Sequence, residues 1–96
     1  MKNKLLAIIN HYGIDNQQRK LEEEVFELQE AITIYENSYH NLKSGIEEEL
    51  ADVKNVLEEI RYYYDIEWQK VNKIQVEKIE RQLERIKNET DNTMVE

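Results

Sequence analysis

Leu21-Glu22-Glu23-Glu24-Val25-Phe26-Glu27-Leu28-Gln29-Glu30-Ala31-Ile32-Thr33-Ile34-Tyr35 decides the fold class. Leu21, Val25, Leu28, Ile32, Tyr35 and, just beyond, Tyr39 recur at alternating spacings of four and three. That is the period of one face of an α-helix, held over about five turns; a strand would alternate every second residue. The pattern returns downstream as Ile46, Leu50, Val53, Leu57, Ile60 and Tyr64, and again as Val76, Ile79, Leu83 and Ile86. Upstream, Leu5, Leu6 and Ile9 give a short apolar face to a helix over residues 3 to 11, which Gly13 closes.

The signals between these stripes are those of helix ends. Asp15 with Gln18 reads as a capping box that opens the second helix, and Ser44 with Glu47 as one that opens the third. The segment His40 to Gly45 reads as the loop between them, and Asp65 as a cap between the third and fourth helices. The chain has no proline and only two glycines, Gly13 and Gly45, so little interrupts helix elsewhere. The expected fold is all-α, an antiparallel bundle of about four helices. It forms a single domain over residues 1–87, with a flexible polar tail over 88–96. Three apolar stripes exceed what so thin a bundle covers, so a homo-oligomer, dimer or tetramer, should complete it.

Composition narrows the function. The 96 residues are 40% hydrophobic and 35% charged, with a net charge of −8. Such an acidic chain is a poor binder of long nucleic acid. It can still hold a phosphorylated small molecule if a divalent cation bridges the like charges. The absence of cysteine removes disulfides, zinc–thiolate sites and thiol nucleophiles. Met1 to Ile9 begins like a signal peptide, but Asn10 and His11 end the apolar run early, and no stretch is long enough to span a membrane. A cytoplasmic setting is the expectation.

The chemistry sits in two acidic pairs. Glu24 and Glu27 share one flank of the second helix, and Glu49 and Asp52 share one flank of the third. In an antiparallel hairpin the flanks can face each other, and four carboxylates then converge. Oxygen-only donors suit Mg2+, with Mn2+ as an alternative, better than zinc. Roughly one residue in five is acidic, so pairs at this spacing also arise by chance, as Glu77 and Glu80 do, and a row of solvated surface charges is the plainer reading. Ala31 lies one turn past Glu27 and Val56 one turn past Asp52, so each acidic line turns apolar instead of running along a polar face.

The run Gln17-Gln18-Arg19-Lys20-Leu21-Glu22-Glu23-Glu24-Val25-Phe26-Glu27-Leu28 resembles the first signature of MazG-like nucleoside triphosphate pyrophosphohydrolases. Glu48-Glu49-Leu50-Ala51-Asp52-Val53 resembles their second. The resemblance spans about residues 12 to 87 and is densest in these two blocks. It implies an all-α bundle completed by assembly, with Glu24, Glu27, Glu49 and Asp52 as Mg2+ ligands. It also implies cleavage of a (d)NTP between its α- and β-phosphates to a monophosphate and pyrophosphate. Glu23, beside the ligands, is then the candidate to position or deprotonate the attacking water.

Other residues have possible roles around that centre. Gln17 and Lys20 precede Glu24 by two turns and one, Asn55 follows Asp52 by one, and each is a candidate substrate contact. Lys78, Arg81 and Arg85 share a flank of the fourth helix and could grip phosphate oxygens, or pair with neighbouring acids along a solvated helix. Tyr62, Tyr63, Tyr64 and Trp68 read as packing rather than base-stacking residues. There is no Glu-x-x-His and no phosphate-binding glycine loop, which argues against di-iron and P-loop chemistry. The alternatives to an enzyme are a non-catalytic helical adaptor and a protein that binds nucleotide without turnover. Base and sugar preference cannot be read from these motifs.

Overall fold

The computed structural model describes residues 1–38 and 44–94, and of residues 44 and 92–94 only the backbone. Four helices carry the described residues, with no strand among them: α1 (Lys2–Tyr12), α2 (Ile14–Glu36), α3 (Ser44–Tyr63) and α4 (Trp68–Met94). The all-α expectation therefore stands. The chain divides into two compact units, Met1–Asp65 and Ile66–Glu96, where the sequence suggested one domain ending near residue 87.

In the first unit α2 and α3 form a hairpin. Gln17 meets Glu59, Glu24 lies beside Asp52, and Glu27 beside Glu49. Numbers rise along α2 as they fall along α3, so the two are antiparallel. Helix α1 packs chiefly on α3 and less on α2. It buries Leu5 and Ile9, which with Val56 of α3 form the buried apolar core among the described residues.

Gly13 alone separates α1 from α2. Its N–H donates to the Ile9 carbonyl at 2.8 Å, which ends α1, and its own carbonyl accepts the Gln17 N–H at 3.1 Å, which starts α2. Its φ of 88° and ψ of 152° lie in a region that only glycine enters at low cost. This corrects the capping box expected at Asp15. The helix already begins at Ile14, so Asp15 falls within the first turn, and no side chain caps the end. Asp15 still favours the helix N-terminus through its charge. Gln18 instead donates through Nε2 to the Tyr64 hydroxyl at 3.3 Å.

The second expected box rests on the Ser44 side chain, which, like residues 39–43, lies outside what is described. Gly45 belongs to α3 and not to the loop. Asp65, expected as a cap, lies just past the end of α3. It follows α3 with φ 53°, the left-handed conformation that Asp tolerates better than most residues, and its N–H donates to the Tyr62 carbonyl. In the second unit, α4 runs on to Met94 where a tail from Asn88 was expected. No glycine or proline interrupts it, and Thr90 Oγ1 donates to the Ile86 carbonyl at 2.9 Å.

Candidate metal and nucleotide site

The face that α2 turns toward α3 matches the apolar stripe read from the sequence only in part, at Leu21, Leu28 and Tyr35. Its enclosed line is Gln17, Leu21, Glu24, Leu28, Ala31 and Tyr35, while Val25 and Ile32 stay substantially exposed. On α3 the enclosed line runs Ile46, Glu49, Val53, Val56 and Glu59, and Leu50 and Leu57 are left exposed. Among the described residues three apolar side chains are buried, and so are three polar ones, Gln17, Glu24 and Glu59. A seam built for stability alone would not bury polar groups in that proportion, because each costs free energy unless it is partnered.

At the middle of the seam, Glu24, Glu49 and Asp52 each bring a carboxylate oxygen within 4.8 Å of the others. Glu24 is 5% exposed. Its Oε1 pairs with Lys20 Nζ at 3.2 Å, but its Oε2 is buried and accepts no hydrogen bond among the described residues. Oε2 of Glu49 is in the same condition. Anionic oxygens left so are costly, and cations relieve the cost. The donors are all oxygen, and the orphaned atoms lie on two of the three carboxylates that converge. This set fits a hard divalent ion such as Mg2+.

The charges make the crowding visible. Glu27 lies at the edge of the group, and the Glu24 charge, with burial second, raises its pKa above the ordinary 4.5. Glu49 is also raised, by burial first and then by the charges of Glu27, Asp52 and Glu24. Lys20 is held more firmly protonated, by its hydrogen bond to Glu24 and then by that residue's charge.

A cavity of about 450 Å³ opens beside this group, lined among others by Lys20, Glu24, Asp52 and Asn55. Lys20 and Asn55 therefore stand where the sequence suggested substrate contacts. Gln17 lines the cavity too, but its amide is engaged with Glu59 at 3.0 Å. Glu23 is exposed and is not among the residues lining this cavity. A second cavity, about 620 Å³, adjoins Glu27 and Glu49 on the side of Tyr35 and Gly45. Lys78, Arg81 and Arg85 belong to the second unit, where with Gln82 they line a groove of about 250 Å³ along α4.

Sequence reading missed three wall residues. Ile8 and Tyr12, four apart on α1, line the 450 Å³ cavity, and their i, i+4 spacing was the available signal. Glu59, which lies in neither motif, lines the same cavity and is 2% exposed. Among the tyrosines, Tyr62 lies under the Arg61 guanidinium, 4.0 Å from the ring centroid, and Tyr63 packs edge-on against Tyr64 at 4.9 Å. Tyr63 and Tyr64 are nevertheless about half exposed, so these contacts do not bury them.

No protein-family model, no curated protein and no solved structure matches the chain. No helix among the described residues is long and apolar enough to cross a membrane.

Proposed function

We propose that the protein is a Mg2+-dependent nucleoside triphosphate pyrophosphohydrolase, as its resemblance to the MazG-like enzymes implies. One observation carries the reading: Glu24, Glu49 and Asp52 converge across the α2–α3 seam, with two buried carboxylate oxygens left without partners. The adaptor reading gives no reason to bury such oxygens at the wall of a cavity.

In the proposed reaction a water oxygen bonds to the α-phosphorus. The bond from that phosphorus to the α–β bridging oxygen breaks, pyrophosphate leaves with the electron pair, and the water's proton passes to a carboxylate. Mg2+ held by Glu24, Glu49 and Asp52 supplies charge neutralisation and lowers the pKa of water nearby. Glu27 completes the acidic group. Its place beside Glu24 and Glu49, on the wall of the 620 Å³ cavity, suits it to take the proton, whereas Glu23 lines neither cavity. Lys20, half exposed and held charged, can exchange Glu24 for a phosphate oxygen. Asn55 lies one turn beyond Asp52 on the cavity wall, within reach of the sugar.

The exposed Val25, Phe26, Ile32, Ile34, Leu50 and Leu57 support assembly as a homo-oligomer. A cytoplasmic setting would supply both nucleotide and Mg2+.

The test is a panel of canonical and damaged nucleoside triphosphates with Mg2+, scored for monophosphate and pyrophosphate. Release of pyrophosphate that stops on removal of the metal is expected. Nucleotide binding without release would leave a non-catalytic binder instead.

A further inference from the structure

Two turns along the seam from the acidic group, α2 and α3 meet in a second polar contact that the proposed chemistry does not use. Gln17 Nε2 donates to Glu59 Oε2 at 3.0 Å, with Gln17 4% and Glu59 2% exposed. The orientation of the amide follows from chemistry, because an ionised carboxylate only accepts and so faces the nitrogen. Among the described residues, the Gln17 amide is the donor that Glu59 receives. One neutral hydrogen bond is thin compensation for a buried carboxylate, which has about four acceptor positions.

Both residues line the 450 Å³ cavity that also holds Lys20, Glu24, Asp52 and Asn55. Gln17 precedes Glu24 by seven residues, and Glu59 follows Asp52 by seven. The pair therefore stands about 10 Å along both helices from the carboxylates that would hold the metal. A nucleoside covers that span from its 5′-phosphate to the far edge of its base, while its sugar lies nearer the phosphates, at the level of Asn55. Ile8, Tyr12 and Val56 give the same cavity apolar wall of the kind a base face needs.

We infer that Glu59, positioned by Gln17, reads the base of the nucleotide and selects bases that present an amino group to it. The inference rests on the pyrophosphohydrolase reading and adds the specificity that the motifs leave open. A carboxylate accepts from the amino group of cytosine or adenine. At the same position uracil and hypoxanthine carry a keto oxygen, whose lone pairs face the anion with no proton between them. A buried acceptor meeting no donor loses far more than an exposed one, so the difference falls on discrimination between otherwise similar bases. Gln17 is a positioning residue here. It holds Glu59 in register while leaving acceptor capacity for the ligand.

The test uses matched pairs in which the amino group becomes a keto oxygen and the neighbouring ring nitrogen gains a proton, dCTP against dUTP and dATP against dITP, with the intact chain and Mg2+. The wild-type protein should favour the amino member of at least one pair by about tenfold or more in kcat/KM. Glu59→Gln keeps the volume and can still bond Gln17, and its amide can turn either an oxygen or an NH2 to the base. In that variant the preference should fall to within about threefold, mainly through KM, with kcat on the better substrate largely kept. A merely structural strut between α2 and α3 would lower both members alike and leave the ratio unchanged, which would overturn the inference. A wild-type protein that releases pyrophosphate from both members of each pair equally would overturn it without any variant. Failure to release pyrophosphate from any nucleotide would overturn the hydrolase reading and this inference with it.

Discussion

Gly13 and Asp52 show how one residue can set a backbone or a charge balance. Gly13 sits at φ 88°, and a Cβ built there meets nothing within 4 Å. The penalty for Gly13→Ala is therefore torsional and not steric, about 1–3 kcal/mol, and should appear as a lower midpoint in urea with an unchanged slope. Gly45 has the same open space without the positive φ, so Gly45→Ala should raise stability by roughly 0.5–1 kcal/mol. The two alanines together separate backbone strain from crowding. At Asp52 the expectation concerns charge. Asp52→Asn keeps the side-chain volume but removes one of three converging anions. Pyrophosphate release should fall to background, and the metal-free protein should be no less stable than wild type, because one repelling charge is gone. Release that persists in Asp52→Asn with an intact helical spectrum would remove Asp52 from the site.

Paired helices are where the raised carboxylates become a stability effect. Glu27 and Glu49 have pKa values above the ordinary 4.5, so the folded state binds more protons than the unfolded one between that value and their raised ones. Stability then falls as pH rises through that window, and above it the hairpin bears the full repulsion. The metal-free protein should therefore melt higher just above pH 4.5 than at pH 7, and Glu49→Gln should flatten that part of the profile. Saturating Mg2+ should reverse the slope, since the metal binds the deprotonated form. The same hairpin shows what the sequence could and could not tell. Helical period and the antiparallel hairpin were legible, because they follow from apolar spacing and a short connection. The face was legible only in part. Val25, Ile32, Leu50 and Leu57 read as core by hydropathy, yet they are exposed, while Glu24 and Glu59 are buried. Hydropathy ranks a carboxylate as solvent-facing and cannot register that a ligand changes the balance. The acidic group itself was legible through its spacing and motifs. The Gln17–Glu59 contact was not, since its partners are 42 residues apart and Glu59 belongs to neither signature.

At the scale of the whole molecule, charge and uncovered apolar surface act together. Most of the net charge of −8 belongs to residues 1–65, where 14 of the 21 acidic residues meet seven of the 13 basic ones. Millimolar Mg2+ or Mn2+ should raise the melting temperature, because it binds the converged carboxylates of the folded state and not the dispersed ones of the unfolded chain. An unchanged temperature would mean that the carboxylates do not act as a group. Among the described residues the buried apolar core is Leu5, Ile9 and Val56, whereas Phe26 is 59% exposed and Leu50 51%. Each side chain of this size gains about 1.5–3 kcal/mol on full burial, and covering several of them would offset the cost of association. A symmetric pair of chains does this with one self-complementary patch. The expected solution mass is at least double 11.6 kDa at micromolar concentration. Leu57→Lys tests the patch. Leu57 is partly exposed in the single chain, so the change should cost the fold little while placing two like charges in the shared surface. Light scattering should then show dissociation at concentrations where wild type is assembled, and pyrophosphate release should recover as the variant is concentrated. A wild-type protein that stays at 11.6 kDa and is fully active would show that one chain suffices.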